Sequence, residues 1–403
     1  MKKIMTAAVA TAAAFGATAA AASESFEFQT KGFLTWYAGY ANQNGRVYEA
    51  GSKRDDTAPN IALKPSDGRL AGYDKASLVT DGEVDFVGSY KFDEDNKLSF
   101  FMSLDVIRGD VNVDLSYFKW DGKIGRFIVG NSKNVSNMMS VSAPDAGTLG
   151  IQDTYATNLI ALPYGFAWNP ATYSVIDNDT AKVSYMTPEM DYGAAGTLQL
   201  GATVMPSDAG LSSGDAFYVS EKTRLKYGAN VAALYTKDFG RYVLTVGATY
   251  AYAKPTFDGM SYKDQIDVEE KNVHQYGGGV NVQRGNLTVG GSVNFVNASG
   301  DVGRHFNIGG RNLAKGVTWD FGVGYNFGPV ETSASVIQSR ANSFFEDGKK
   351  DVFTLGLVAV RYHVAKGLSV YAEGGYINFD SARRDKDYSN DSPIVVIGAT
   401  VRF

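Results

Sequence analysis

Apolar and polar residues exchange places at every second position along much of this chain. Val317, Trp319, Phe321, Val323, Tyr325 and Phe327 fall on one side of an extended segment, with Thr318, Asp320, Gly322, Gly324 and Asn326 on the other. Leu287, Val289, Gly291, Val293 and Phe295 oppose Asn286, Thr288, Gly290, Ser292 and Asn294 in the same way. Leu98, Phe100, Met102 and Leu104 oppose Ser99, Phe101, Ser103 and Asp105, and Leu225, Tyr227, Ala229 and Val231 oppose Arg224, Lys226, Gly228 and Asn230. A side-chain period of two belongs to strands with one apolar and one polar face. Sustained i, i+3, i+4 apolar spacing is missing, so long amphipathic helices are not expected.

Sixteen strands can be delimited, running from Ser25–Ala41 to Pro393–Phe403. The sixth is expected over Ala171–Thr187, the eighth over Thr223–Lys237 and the tenth over Val273–Arg284. Beyond the first residues no apolar run approaches the ~18 needed for a transmembrane helix; the longest, Val352–Val360 and Ile394–Val401, are strand-length. Glycine (45 of 403 residues), tyrosine (24) and phenylalanine (23) are abundant, while mean hydropathy is −0.18, too low for a helical membrane protein. With no cysteine, disulfides, thiolate metal sites and cysteine nucleophiles are excluded. A net charge of −5 speaks against nucleic acid, which calls for a basic patch.

The N-terminus has the layout of a secretory signal: Lys2 and Lys3, an Ala-rich apolar stretch from Ile4, then Ala20-Ala21-Ala22 before Ser23. Residues 1–22 are therefore expected to be a cleaved leader and 23–403 a single exported domain.

Link lengths alternate. Asp93–Asn96, Asp121-Gly122, Asp238–Gly240, Gly285, Gly328 and Ala365-Lys366 are tight; Asn42–Ala76, Ser132–Pro170, Ser207–Lys222, Lys254–Asn272, Asn297–Ala314, Arg340–Lys350 and Asp380–Ser392 are long and polar. Gly109-Asp110 is short where a loop is due, and Pro188–Gly196 long where a turn is due. Short turns on one rim and long loops on the other is the pattern of an outer-membrane barrel. In hydrocarbon every backbone N–H and C=O must be paired, so an all-β span must close on itself. Aromatics near strand ends, Phe26, Phe28, Trp36, Trp120, Tyr250 and Tyr252, suit an interfacial girdle.

The chain ends in an alternating strand, Ile394 to Arg402, closed by Phe403. This ending, with the leader, strand count and loop alternation, resembles the Gram-negative general porins. Gly125-Arg126-Phe127-Ile128-Val129-Gly130-Asn131 is similar to their fifth strand, after which residues 132–170, containing Met138-Met139-Ser140 and Ala143-Pro144-Asp145-Ala146-Gly147, stand where their constriction loop stands. The Pro-Glu-Phe-Gly signature of enterobacterial members is absent. The resemblance implies a transmembrane antiparallel up-and-down β-barrel of sixteen strands with an inward-folded third loop. It also implies a homotrimer joined near the terminal strands, passive passage of small hydrophilic solutes and ions, and recognition of Phe403 by the barrel assembly machinery.

Selectivity in such a pore comes from the narrowest aperture and the charges lining it. The loop offers Asp145 and Asp153, with Lys133 near its start; Lys31, Arg126, Lys182, Arg224, Lys226 and Arg402 have the parity of the polar face. Asp81, Glu83, Asp85, Asp105, Asp114, Asp320 and Glu373 share that parity and suggest mild cation preference. Parity around His274 and Arg361 stays open. No cofactor is expected, and the only histidines, His274, His305 and His363, form no metal-spaced motif and no Gly-x-Ser-x-Gly context, so an enzyme is the weakest reading. Phe101, Phe118 and Tyr371 are too few for an aromatic sugar slide. A substrate-specific channel and an adhesion or structural barrel are the alternatives. Outer-membrane lipid and lipopolysaccharide are expected surroundings; the acids Asp55-Asp56, Asp385, Asp387 and Asp391 are read as solvated, with Ca²⁺ binding open.

Overall fold

The computed structural model describes residues 26–43, 75–105, 112–152, 155–160, 163, 166–176, 180–207, 225–255, 272–297, 307–308, 311–312, 314–343, 346, 348–383 and 389–403. The leader, most of the first long link, Gly109-Asp110, Asp153, Arg224 and His305 lie outside them.

Sixteen antiparallel strands form a closed barrel. They are β1 (Phe26–Ala41), β2 (Ala76–Lys91), β3 (Lys97–Asp105), β4 (Asn112–Gly122), β5 (Gly125–Ser132), β6 (Thr180–Met186, resumed at Met190–Asp191), β7 (Thr197–Ser207) and β8 (Leu225–Asp238). The circuit continues with β9 (Val243–Pro255), β10 (Val273–Arg284), β11 (Leu287–Asn297), β12 (Gly316–Phe327), β13 (Val330–Asn342), β14 (Lys350–Ala365), β15 (Leu368–Asp380) and β16 (Asn390–Arg402). Each pairs with the next, and β1 pairs with β16 from Phe33↔Arg402 to Ala41↔Ile394. Gly32 and Phe403 exchange both backbone hydrogen bonds at 3.1 Å, which seals the seam. No helix among the described residues is long and apolar enough to cross a membrane.

Alternation dictates the two faces. Val358 (60% exposed), Ile397 (61%) and Phe321 (50%) point outward, while their neighbours Leu357, Val396 and Asp320 are buried inside. On the described strands the outward set carries charge only at strand ends. Those are Lys237 and Arg284 at the short-turn rim and Lys226, Lys254, His274, Arg340, Lys350, Asp380 and Asp391 at the long-loop rim. A charged side chain facing lipid at mid-depth costs about 2–4 kcal/mol, so this placement is what a bilayer requires. Outward aromatics gather at the short-turn rim: Tyr90 with Phe92, Trp120 with Phe127, Phe127 with Tyr185, and Tyr325 with Phe327 are ring neighbours at 4.4–5.6 Å.

The short turns close as their residues demand. Gly285 (φ 55°) takes the left-handed conformation that a two-residue hairpin turn needs. At the turn before β3 the Asn96 side-chain amide and two backbone N–H groups hold the Asp93 carboxyl below the usual carboxylate range.

Four expectations change. Pro188–Gly196 is not a long loop: β6 resumes at Met190 after an irregularity at Pro188, which has no N–H for the ladder, and the turn spans only Tyr192–Gly196. Residues 171–176 do not begin β6, which starts at Thr180; they lie buried against the wall. Tyr227, the only non-glycine at positive φ among the described residues (54°), sits where β8 slips against β9, and Leu225 beyond it is fully buried rather than outward. A slip between β3 and β4 leaves Phe118 exposed on the outer face (60%), while Phe101 and Tyr117 stack inside at 5.0 Å.

Candidate functional site: the inner wall and the segment bonded to it

Between β5 and β6 the chain makes a four-residue helix, α1 (Val135–Met138), capped by Asn134, whose side chain accepts the Asn137 N–H at 2.8 Å. The segment that follows is bonded to inward-facing residues of widely separated strands. Ala143 N–H donates to Asp320 on β12 (2.9 Å), Ala146 N–H to Ser333 on β13 (2.9 Å) and Ala167 N–H to Asp351 on β14 (2.9 Å). Glu373 on β15 accepts the N–H groups of Thr148 and Leu149, and Arg361 on β14 donates to the Gly147 carbonyl at 2.6 Å. On the opposite arc Val135 N–H donates to Thr203 on β7 (3.1 Å). Backbone meets backbone at β10: a Cβ on Gly279 would lie 1.9 Å from the Val141 carbonyl oxygen.

Apolar contacts reinforce this seat. Trp168 sits 4.6 Å from Phe353 and 5.8 Å from Phe379, and Phe166 5.2 Å from Phe379, ring to ring. Leu149, Ile151, Leu159 and Ile160 join Ile337, Leu355, Ile377 and Val396 of β13–β16 in one buried cluster. The inner wall of this arc thus carries an apolar cluster, and a second one, Met205, Leu225, Ala251, Ala253, Val273 and Val296 of β7–β11, packs against residues 171–176. The signal of the first in the sequence was Val352–Val360, where the inward positions Phe353, Leu355, Leu357 and Ala359 are apolar as well as the outward Val352, Val358 and Val360. Asp351, Arg361 and these rings are the residues that parity reasoning did not single out.

The candidate charges do not gather in one place. Lys182 is fully buried, its Nζ bonded to the Ser132 and Thr180 carbonyls that flank the segment's two ends. Arg126 pairs with Asp121 at 2.5 Å beside the β4–β5 turn, and Arg402 lies 5.8 Å from the Phe33 ring, both toward the short-turn rim. Lys31 stands opposite Asp85 in the β1–β2 register. Lys226, expected on the lumen side, is turned outward by the bulge at Tyr227: it opposes Lys254 at the long-loop end of β8, 5.9 Å from the Tyr227 ring. Lys133 is half-buried at the start of the segment. Asp145 is exposed, and its carboxylate accepts the N–H groups of Gly147 (2.8 Å) and Ile151 (2.6 Å). What does come together is acid: Glu83 lies within electrostatic reach of Asp81, Asp85 and Asp114 on the inner wall of β2–β4.

Parity is settled at the two open positions: Arg361 faces inward, and His274 faces outward between buried Val273 and Gln275. His363 bridges Glu331 (3.0 Å) and Ser369 (3.0 Å) near the short-turn rim, with its imidazole and the carboxylate both substantially solvated. No group of three or more metal-capable side chains occurs among the described residues.

No curated protein matches the sequence. Among solved structures, the OmpF–daunomycin complex of Salmonella typhi is 13% identical, with a TM-score of 0.57 over 93% of this chain and 97% of that one. A trimer form of OmpT from Vibrio cholerae is 12% identical, with a TM-score of 0.56 over 94% and 100%. An anion-selective porin from Comamonas acidovorans is 11% identical, with a TM-score of 0.53 over 94% and 100%. At these identities the likeness is one of fold. A family model described as Gram-negative porin matches residues 6–382, nearly the whole sequence. The chain belongs to the Gram-negative porin family.

Proposed function

We propose that this porin is a passive diffusion channel of the outer membrane, carrying ions and small hydrophilic solutes down their gradients without catalysis. The observation that carries the reading is the contrast between the two faces of one closed sheet. Outside, the mid-depth band is free of charge among the described residues; inside, Asp81, Glu83, Asp85, Asp105 and Asp114 line the wall of β2–β4. A barrel of this size leaves a water-filled lumen.

The segment between β5 and β6 is taken as the constriction. Its hydrogen bonds to β7 and to β12–β15 support a strap that crosses the lumen and leaves the open passage beside β2–β4. Asp145 and Lys133 are its own charges at that aperture, with Lys31, Arg126 and Arg402 lower along the path. Lys182, buried at the neck, holds the strap rather than meeting solute. Acids on the facing wall favour cations, in contrast to the anion-selective Comamonas protein.

The leader at residues 1–22 fits export, and exposed Phe403 fits recognition during barrel assembly. A homotrimer joined through β1 and β16 is supported by their outward apolar surface (Trp36, Tyr40, Val395, Ile397) and by the trimer form of the Vibrio relative. Liposome swelling with sugars of graded size tests the function: rates should fall with solute size and rise linearly with concentration. Saturation by one sugar would favour a substrate-specific channel instead.

A further inference from the structure

Along the inner wall of β2–β5 three kinds of side chain follow one another from the long-loop end to the short-turn end. Acids come first: Asp85 stands opposite Ser103 in the β2–β3 register, and Ser103 donates to Glu83 at 3.3 Å. An aromatic row is next on the same face, where Phe101 and Tyr117, register partners on β3 and β4, stack at 5.0 Å with 22° between their planes. Bases come last: Lys119 stands opposite Ser99, and Arg126 on β5 stands opposite Asp121.

Neither end of this series is neutral. Glu83 lies within electrostatic reach of Asp81, Asp85 and Asp114, against which Lys31, opposite Asp85 on β1, sets one base. At the other end Lys119 (3.2 Å) and Arg126 (2.5 Å) share the single carboxylate of Asp121, which leaves one positive charge over. Tyr117 is within electrostatic reach of both Asp85 and Arg126, so the aromatic row fills the interval between the two poles. Both rings are half-buried, with one flank open to the lumen. From the Ser103 row to the Ser99 row is four positions along β3, about 13 Å.

We propose that this stretch of wall is a weak binding subsite for short peptides with free termini, three or four residues long and carrying an apolar or aromatic side chain. This rests on the channel reading above and gives it a preferred class of solute. An extended chain of three or four residues spans about 10–14 Å, which matches the separation of the poles. Its ammonium group meets the carboxylates, its carboxylate meets Lys119 and Arg126, and its side chain lies against Phe101 and Tyr117. The poles succeed one another along the pore axis on one wall, so the peptide lies lengthwise with its N-terminus toward the long loops. A sugar, with no charged ends, gains nothing from either pole.

The test records single-channel current through the full-length protein in a planar bilayer with three probes: Gly-Phe-Gly, its N-acetylated and C-amidated form, and Gly-Gly-Gly. Gly-Phe-Gly should add current noise that saturates with concentration and weakens with salt, the blocked form should add almost none, and Gly-Gly-Gly should fall between. E83Q/D85N and K119Q/R126Q should each lower the apparent affinity for Gly-Phe-Gly on the order of tenfold. F101L should shrink its advantage over Gly-Gly-Gly, while K123Q, whose ammonium group faces Asp95 at the turn, should keep wild-type affinity. Heat-modifiable mobility and discrete open steps verify that each variant barrel is folded. Equal noise from the free and blocked peptides, or unchanged affinity in either charge variant, would overturn the subsite while leaving the channel standing. Absence of any conductance step in the wild type would remove the channel reading and the subsite with it.

Discussion

The carboxylate of Glu373 accepts the backbone N–H of Leu149 at 3.1 Å, although 224 positions separate them in the chain. Thr148 N–H donates to the same carboxylate, which is buried on the inner wall of β15. Glu373→Leu leaves these donors buried and unsatisfied, at about 1–3 kcal/mol each. The expected result is a lower unfolding temperature and noisier open-channel current, with Glu373→Gln, which keeps an acceptor oxygen, close to wild type. Quiet wild-type current in Glu373→Leu would mean that the strap is held without this latch.

At Gly279 the strap's backbone comes so close that a single methyl group has no room. Gly279→Ala should shift single-channel conductance while the barrel still assembles. Gly356, beside which a Cβ meets nothing within 4 Å, is the control: Gly356→Ala should leave conductance unchanged. Planar-bilayer recording of both variants distinguishes a seated strap from a loose one.

The acids of β2–β4 set the proposed selectivity. Glu83→Gln combined with Asp85→Asn should lower cation preference, read as a smaller reversal potential in a KCl gradient. An unchanged reversal potential would place the selective charges elsewhere. Arg126→Gln, at the rim beside Asp121, should have the weaker effect.

Much of this architecture was legible in the sequence because a two-residue period is read without knowing what a strand contacts. Val273–Arg284 occupies β10 end to end, and Thr318 and Asp320 face inward as their alternation requires. The reading slipped where one inserted residue reverses parity. The bulge at Tyr227 buries Leu225, and the slip between β3 and β4 turns Phe118 out. It also slipped where a third layer covers the inner face. The inward positions of Val352–Val360 are apolar because the segment between β5 and β6 packs on Phe353 and Leu355, and Ala171–Ile176 imitates a strand because its residues are all buried. Lys182 has the parity of a solute-facing base, but it is buried, with its Nζ bonded to the Ser132 and Thr180 carbonyls.

Lys182→Met removes charge-assisted hydrogen bonds worth on the order of 1.5–3 kcal/mol each. Flickering between conductance levels should follow, with Lys182→Arg partly restoring steady current. A steady Lys182→Met channel would show that the neck closes without the clamp.

Depth along the outer face gives an independent check on membrane placement. Val358→Lys, near the middle of β14, should cost about 2–4 kcal/mol of folding free energy in bilayers, and Val364→Lys, near its end, about 0–1 kcal/mol. Urea titration of the variants into lipid vesicles measures both. Equal costs would mean that this face does not meet a hydrocarbon layer.

The most direct measurement of the central claim is stepwise conductance of the purified full-length protein in a planar bilayer, repeated with neutral polymers of increasing size. A water-filled lumen predicts discrete steps that shrink when small polymers enter and recover once the polymer is too large for the strap-narrowed aperture. Insertion without conductance, or steps indifferent to polymer size, would contradict a barrel that encloses water.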